Sequence, residues 1–281
     1  VLIYGPTASG KSNFAIKLAK KIKGEIINAD SMQVYKEFKI LTARPLKKNY
    51  HNIQHHLYGF INGEKNFSTG EWLKLATKKI DEIKGRKKIP ILVGGTGLYY
   101  KALVEGLVKI PSIPPTFRNK VRRLHKDLGQ KRFYRKLIKI DPILIDQIKS
   151  TDVQRSIRAY EVKMFTKKSI LRWYENTKSE FRKKDFYKII IDFPRPKLIE
   201  KIHARSISMV ENGAISEVKK FLKLKISKDK SISKAIGINE IKEYLNKEAI
   251  KENIADKISI KTRQYAKRQV TWARGNMEDW K

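Results

Sequence analysis

The hydrophobic positions of the chain fall into two kinds of pattern. Short continuous apolar runs occur at Val1-Leu2-Ile3-Tyr4, Glu25-Ile26-Ile27-Asn28-Ala29 and Pro90-Ile91-Leu92-Val93, and again from Tyr187 to Phe193. Such runs predict strands, and runs without polar alternation suit a parallel sheet covered on both faces. Elsewhere apolar residues recur every three or four positions. Phe14, Ile16, Leu18, Ala19 and Ile22 predict a helix over 13–23 that Gly24 ends, and Trp72, Leu75, Ala76, Ile80 and Ile83 predict a second. Ser68 and Glu71 have capping-box spacing before that second helix, and the cations of 84–88 suit its C-terminal dipole. Residues 36–70 between them read as loop. Strands alternating with helices define an α/β fold with a parallel sheet.

After Pro111, Pro114 and Pro115 the pattern changes. Helical spacing predicts helices at 117–128, 133–140, 152–165 and 169–173, and no strand appears until 187. The expected organisation is a core built from 1–109 and 186–281, with 110–185 as a helical insertion. Asp152 is a candidate N-cap, and Arg155 and Arg158 share a face of its helix. The last third predicts helices at 196–211, ending near Gly213, at 215–224, from Asn239, and at about 255–274. A polar loop spans 225–234. The closing helix carries Thr262 to Trp272, a basic face with aromatic neighbours. It suits phosphates and bases, or equally a solvated surface helix anchored by its Tyr and Trp.

Composition sharpens this picture. The 281 residues include no cysteine, which excludes disulfides, zinc ribbons and thiol nucleophiles and suits a reducing cytoplasm. No apolar run approaches the ~20 residues of a membrane helix. The chain opens without Met almost inside a strand, so a few residues are expected before Val1. The net charge of +35 points to a polyanionic partner, unless lysine bias merely spreads charge everywhere. Its distribution favours a partner: residues 110–185 hold 21 Lys+Arg against 8 Asp+Glu, and 9 of the 16 arginines. Arginine is the residue suited to bidentate phosphate contacts.

Three strand ends carry candidate chemistry. Gly5-Pro6-Thr7-Ala8-Ser9-Gly10-Lys11-Ser12 fits the phosphate-loop pattern between a strand and a helix. Its N–H groups would cradle a phosphate or diphosphate, Lys11 would meet the terminal phosphate, and Ser12 would offer a hydroxyl to Mg²⁺. Asp30 follows the second strand, where an open parallel sheet binds ligands, though a helix cap at Asp30 or Ser31 is the plain alternative. Gly94-Gly95-Thr96-Gly97 repeats the strand–glycine turn–helix arrangement with Thr96 as its one hydroxyl; a tight turn without a ligand would look the same. His51, His55 and His56 lack regular ligand spacing and read as loop residues.

Taken in order, the phosphate loop, Asp30-Ser31-Met32-Gln33-Val34-Tyr35, Val93 to Tyr99, Asp152-Val153-Gln154-Arg155 and Arg263 to Gln269 resemble the tRNA dimethylallyltransferase (tRNA isopentenyltransferase) family, bacterial type. The likeness covers nearly the whole chain. It implies a P-loop NTPase-like core with a helical insertion. It also implies transfer of the dimethylallyl group of dimethylallyl diphosphate to the exocyclic N6 amine of the adenosine 3′ to the anticodon. By the same resemblance the loop from Gly5 to Ser12 holds the donor diphosphate and Asp30 is the general base. Thr96 lies near the reacting nucleotide. Asp30 to Gln33, Thr96, Arg118 and the run Gln154, Arg155, Ser156, Ile157 and Arg158 contact the anticodon stem-loop of tRNA. Ile238 and Asn239 depart from the family's aromatic and basic pair. No second acidic Mg²⁺ ligand follows the third strand, which leaves Ser12, with Asp30 as the candidate second ligand. The expected enzyme is a cytoplasmic monomer that does not touch a membrane. The rival readings are an ATP-dependent kinase, an isopentenyltransferase acting on free adenine nucleotides, and a non-catalytic RNA-binding module.

Overall fold

The computed structural model describes residues 1–175 and 177–281. They separate into two compact units, Val1–Val104 with Phe181–Lys281, and Glu105–Glu180. In the first unit five strands, β1 (Leu2–Tyr4), β2 (Gly24–Asn28), β3 (His55–His56), β4 (Ile89–Gly94) and β5 (Lys188–Ile190), form one sheet in the order β3-β2-β4-β1-β5. Every pairing is parallel, with Leu2 opposite both Leu92 and Lys188 and Ile27 opposite Leu92.

Because strand side chains alternate between faces, the continuous apolar runs feed two cores. Ile3, Ile26, Ile91 and Val93 pack with Ala15, Ile16 and Ala19 of α1 (Lys11–Ile22). Leu2, Tyr4, Ile27 and Leu92 pack on the other face with Trp72, Ala76, Ile80 and Ile83 of α2 (Thr69–Gly85) and Tyr99, Tyr100 and Leu103 of α3 (Gly97–Glu105). Parallel strands buried on both faces give the expected α/β fold. The capping box at the start of α2 is formed: Ser68 Oγ accepts from Glu71 N at 3.2 Å, and Ser68 N donates to Glu71 Oε2 at 2.8 Å.

The structure corrects the expected end of α1. Lys23 takes the left-handed conformation (φ 52°) that closes the helix, while Gly24 opens β2. A Cβ on Gly24 would come 3.1 Å from the Ile89 carbonyl oxygen, so the glycine serves strand packing. The stretch read as loop contains β3. His56 of β3 lies 2.7 Å from Glu25, which is 1% exposed and also meets Arg86 at 2.7 Å and Lys88 at 3.0 Å. Burial alone would raise the pKa of Glu25; hydrogen bonds from Arg86, His56 and Lys88 overcome it and hold the carboxyl at about 2. His55 stacks on Tyr50 with ring centres 3.8 Å apart.

The unit's remaining helices are α7 (Arg195–Glu211), α8 (Ala214–Lys223), α9 (Ile238–Leu245) and α10 (Glu252–Arg274). The second unit contains α4 (Pro115–Ile140), α5 (Val153–Thr166) and α6 (Ile170–Tyr174). Within α4, Gly129 has φ 68° and ψ 163°, so two helices meet there, as the separate periodic runs predict. Phe133, Leu137, Leu144, Ala159, Tyr160 and Val162 form this unit's own core. No helix among the described residues is long and apolar enough to cross a membrane.

Candidate active site

The carboxyl ends of β1, β2 and β4, three neighbours in the sheet, carry the phosphate loop, Asp30 and Thr96. The loop turns through two left-handed residues, Ala8 (φ 67°) and Gly10 (φ 85°). Gly5 needs no positive φ. A Cβ there would come 2.9 Å from Ser9 Oγ and 3.3 Å from the Ile191 carbonyl oxygen, so close approach is its role. Pro6 O accepts from Ser9 N at 3.2 Å and from Lys11 Nζ at 3.2 Å, which folds the lysine back over the loop. No side chain caps α1 and no acid occupies its first turn, so its leading N–H groups and positive dipole end are offered to an anion. Ser9 Oγ is buried with no hydrogen-bond partner among the described residues, a further donor inside the cradle.

Two cations flank this loop. Burial lowers the Lys11 pKa to about 8; Asp30 acts to raise it and Arg205 to lower it. Arg205, on α7, donates to Thr7 Oγ1 at 2.8 Å. Its own pKa is lowered to about 10, chiefly by burial, against the pull of Asp30. Half-desolvated cations beside N–H donors hold multiply charged phosphate more strongly than exposed ones.

Asp30 is half-buried and caps no helix. Its Oδ1 accepts from Met32 N at 2.9 Å, and its own N–H donates to Asn28 Oδ1 at 2.9 Å. Asn28 is held in turn because its carbonyl accepts from Trp72 Nε1 at 2.8 Å. Thr96 Oγ1 accepts from Ser31 N at 2.9 Å, and Thr96 N donates to Ala29 O at 3.2 Å, so the turn after β4 clasps the turn after β2. Burial, with the Asp30 charge adding to it, raises the pKa values of Tyr58 and Tyr265 and keeps both phenols neutral. Met32 packs on an apolar cluster around Val34 and Phe38, and Gln33 Nε2 donates to Thr42 O at 2.9 Å.

One residue joins two of these turns. Gln269 of α10 is 4% exposed; its Oε1 accepts from Thr7 N at 2.8 Å and its Nε2 donates to Gly95 O at 2.8 Å. The face of α10 read as basic surface has an opposite side, Thr262, Ala266, Gln269 and Ala273, that is buried. Sequence reasoning placed Gln269 at the end of the resembling stretch Arg263 to Gln269 without giving it a role, and missed Arg205. The signal for Gln269 was the helical spacing of small and uncharged residues on an otherwise basic helix.

In the helical unit, Asp152 caps α5 by accepting from Arg155 N at 3.0 Å, and its Oδ2 lies 3.3 Å from Arg155 Nη1. Arg118 Nε and Arg158 Nη1 both approach Glu161 Oε2 at 3.4 Å, and the Glu161 side chain is 3% exposed. Glu161 also escaped notice in the sequence. Gln154 and Arg155 are exposed, whereas Ser156 is buried against Gln130 and Ile157 packs into the unit's core. The side chains of Ser156 and Ile157 therefore serve the fold.

Known proteins resemble this chain in sequence and fold. A family model described as IPP transferase matches residues 33–276. A tRNA dimethylallyltransferase of Pelagibacter ubique is 62% identical over 280 residues, covering 100% of this chain and 90% of its own. The crystal structure of a tRNA isopentenylpyrophosphate transferase from Bacillus halodurans superposes with TM-score 0.69 at 33% identity, over 98% of this chain and 86% of that one. A eukaryotic dimethylallyltransferase, described as acting on tRNA, superposes with TM-score 0.85 at 28% identity, over 97% and 69%. The family model spans most of the chain, and the identity to the Pelagibacter relative covers that stretch and the phosphate loop before it: the chain belongs to the IPP transferase family of tRNA dimethylallyltransferases.

Proposed function

We propose that this chain transfers a dimethylallyl group from its diphosphate to the exocyclic amine of the adenosine 3′ to the anticodon of tRNA. The observation that carries the reading is the meeting of an anion cradle, Asp30 and Thr96 at three adjacent strand ends. Adenine N6 is a weak nucleophile, but the allylic carbon bears developing positive charge well. Catalysis therefore rests on taking up the leaving group's charge and on alignment. The N–H groups of the loop, Lys11 and Arg205 bind the diphosphate, and the C–O bond breaks with its electron pair passing to that diphosphate. The N6 lone pair forms the new C–N bond, and the N6 proton passes to the Asp30 carboxylate.

Mg²⁺ fits the donor set in a limited way. No group of three His, Cys, Asp or Glu is arranged to hold a metal among the described residues, so no all-protein cage exists there. Mg²⁺ commonly keeps its waters and binds through substrate phosphates and one or two protein oxygens, which the Ser12 hydroxyl with Asp30 would supply. Bound there, it would neutralise diphosphate charge. Arg118, Arg155 and Arg158 grip the tRNA backbone, and the target base is splayed from its loop to reach Asp30. Every group invoked lies on one chain, so a monomer suffices, and a chain without cysteine suits a reducing cytoplasm.

The test incubates the protein with labelled dimethylallyl diphosphate, Mg²⁺ and undermodified tRNA. Label in tRNA, and none in AMP, ADP or ATP, is the expected result. Label in free nucleotides, or phosphate transfer from ATP, would replace this reading with one of its rivals.

A further inference from the structure

We propose that Gln269 is a positioning residue that locks the phosphate loop to the Thr96 turn and so holds the leaving group in line with the base. The inference rests on the reading above of what these two turns hold. A primary amide has one acceptor end and one donor end. Here the acceptor faces the Thr7 N–H at 2.8 Å and the donor faces the Gly95 carbonyl at 2.8 Å. Both partners are main-chain atoms of the two turns, so the amide fixes the spacing of backbones. Its own place is fixed as well, because the Gln269 carbonyl accepts from Tyr4 Oη at 2.9 Å at the end of β1. Gly95 has no side chain where one would overlap the Gln269 amide.

The bonds on either side continue the connection. Thr7 accepts from Arg205 through its hydroxyl, and Gly95 is followed by Thr96, whose hydroxyl holds Ser31 N beside Asp30. The donor cradle and the base are thus coupled through one buried amide. A displacement of about 1 Å between reacting groups can cost on the order of 100-fold in rate, even when each substrate still binds.

Gln269→Glu is the discriminating variant because it is nearly isosteric. Its carboxylate still accepts from Thr7 N–H but opposes the Gly95 carbonyl with a second oxygen. Once protonated, its O–H donates to Gly95 O and restores the pattern; burial and the facing Gly95 carbonyl raise the carboxyl pKa against the pull of Arg205 and Lys11 at the same loop, and bring this recovery toward neutral pH. With labelled dimethylallyl diphosphate and tRNA at pH 8, we expect kcat to fall about 100-fold with both KM values within about threefold of wild type. The ratio of variant to wild-type kcat should then rise at least about tenfold by pH 6, a full pH unit or more of titration. Gln269→Met should lose kcat without this recovery. Retained kcat at pH 8, a loss that is flat with pH, or a rise in KM with kcat unchanged would each overturn the proposal. If Gln269→Glu fails to give a cooperative thermal melt, Gln269→Asn applies the same test. Shortened by one methylene, it cannot span both turns, and retained kcat would overturn the proposal. A wild-type enzyme that labels no tRNA would instead remove the functional reading on which it rests.

Discussion

Replacing Arg118 and Arg158 together by alanine strands the Glu161 carboxylate. Each arginine nitrogen lies 3.4 Å from the same Glu161 oxygen. At an effective dielectric constant of about 20, two unit charges at that separation attract by about 5 kcal/mol. The arginine side chains are 42% and 36% exposed, so solvent screening cuts each pair to about 1 kcal/mol net. Glu161 has no such relief, and a buried charge without a partner costs about 3–5 kcal/mol. Either single variant leaves one partner in place and should cost about 1 kcal/mol. The double variant should cost about 3 kcal/mol or more. At about 2–4 °C per kcal/mol, that is a loss of roughly 6–12 °C in Tm by calorimetry. Adding Glu161→Leu removes the stranded charge and should restore most of the melting temperature. It should not restore tRNA affinity, measured by filter binding across a salt series, because the phosphate contacts stay lost. A double variant that melts with wild type would refute the account of Glu161 as a buried anchor. A triple variant that recovers tRNA binding would refute the role of the arginines.

Three further outcomes follow from the site. Asp30→Asn keeps the turn, since its amide oxygen can still accept from Met32 N–H; kcat should fall about 10²–10⁴-fold with tRNA affinity intact, and equal losses of both would make Asp30 structural. Lys11, held near pKa 8 in the free enzyme, must be protonated to meet diphosphate, so binding takes up a proton above that pH. Diphosphate affinity, measured by calorimetry, should therefore be flat below about pH 8 and fall toward tenfold per pH unit above it, a slope that Lys11→Arg abolishes. Gly94→Ala drives a Cβ into the Ala29 carbonyl and should destabilise by about 3 kcal/mol or prevent folding, whereas Gly85→Ala meets nothing within 4 Å and should be neutral or slightly stabilising in denaturant titrations.

The parts of the molecule legible in the sequence are those written locally. The phosphate loop, the capping box at Ser68, Asp152 as an N-cap and the glycine turn around Thr96 each lie within a dozen residues, so spacing alone exposes them. Placing Asp30 beside the phosphate loop followed from a rule about parallel sheets. The roles of Gln269 and Arg205 were hidden because their partners lie 262 and 198 residues away. A buried glutamine on a basic helix looks like any polar surface residue until the helix has a neighbour. Glu161 was hidden for a related reason, since charge counting draws attention to the arginines and passes over the acid that orients them. β3, with two residues, is too short to show periodicity, and the end of α1 fell to Lys23 because Gly24 was needed for close packing.

β2 carries unlike burdens at its two ends. Glu25 near its start gathers Arg86, Lys88 and His56, and Asp30 lies just past its finish. From Glu25 to Asn28 the strand rises about 10 Å, with Ala29 still to come before Asp30, and the Glu25 charge is met where it stands by Arg86 and Lys88. A lineage moving into warmer or saltier water can therefore rebuild the ion cluster, exchanging Lys88 for Arg or dispensing with His56, with almost no electrical echo at Asp30. Electrostatic anchoring and chemistry are thereby assigned to opposite ends of one short strand.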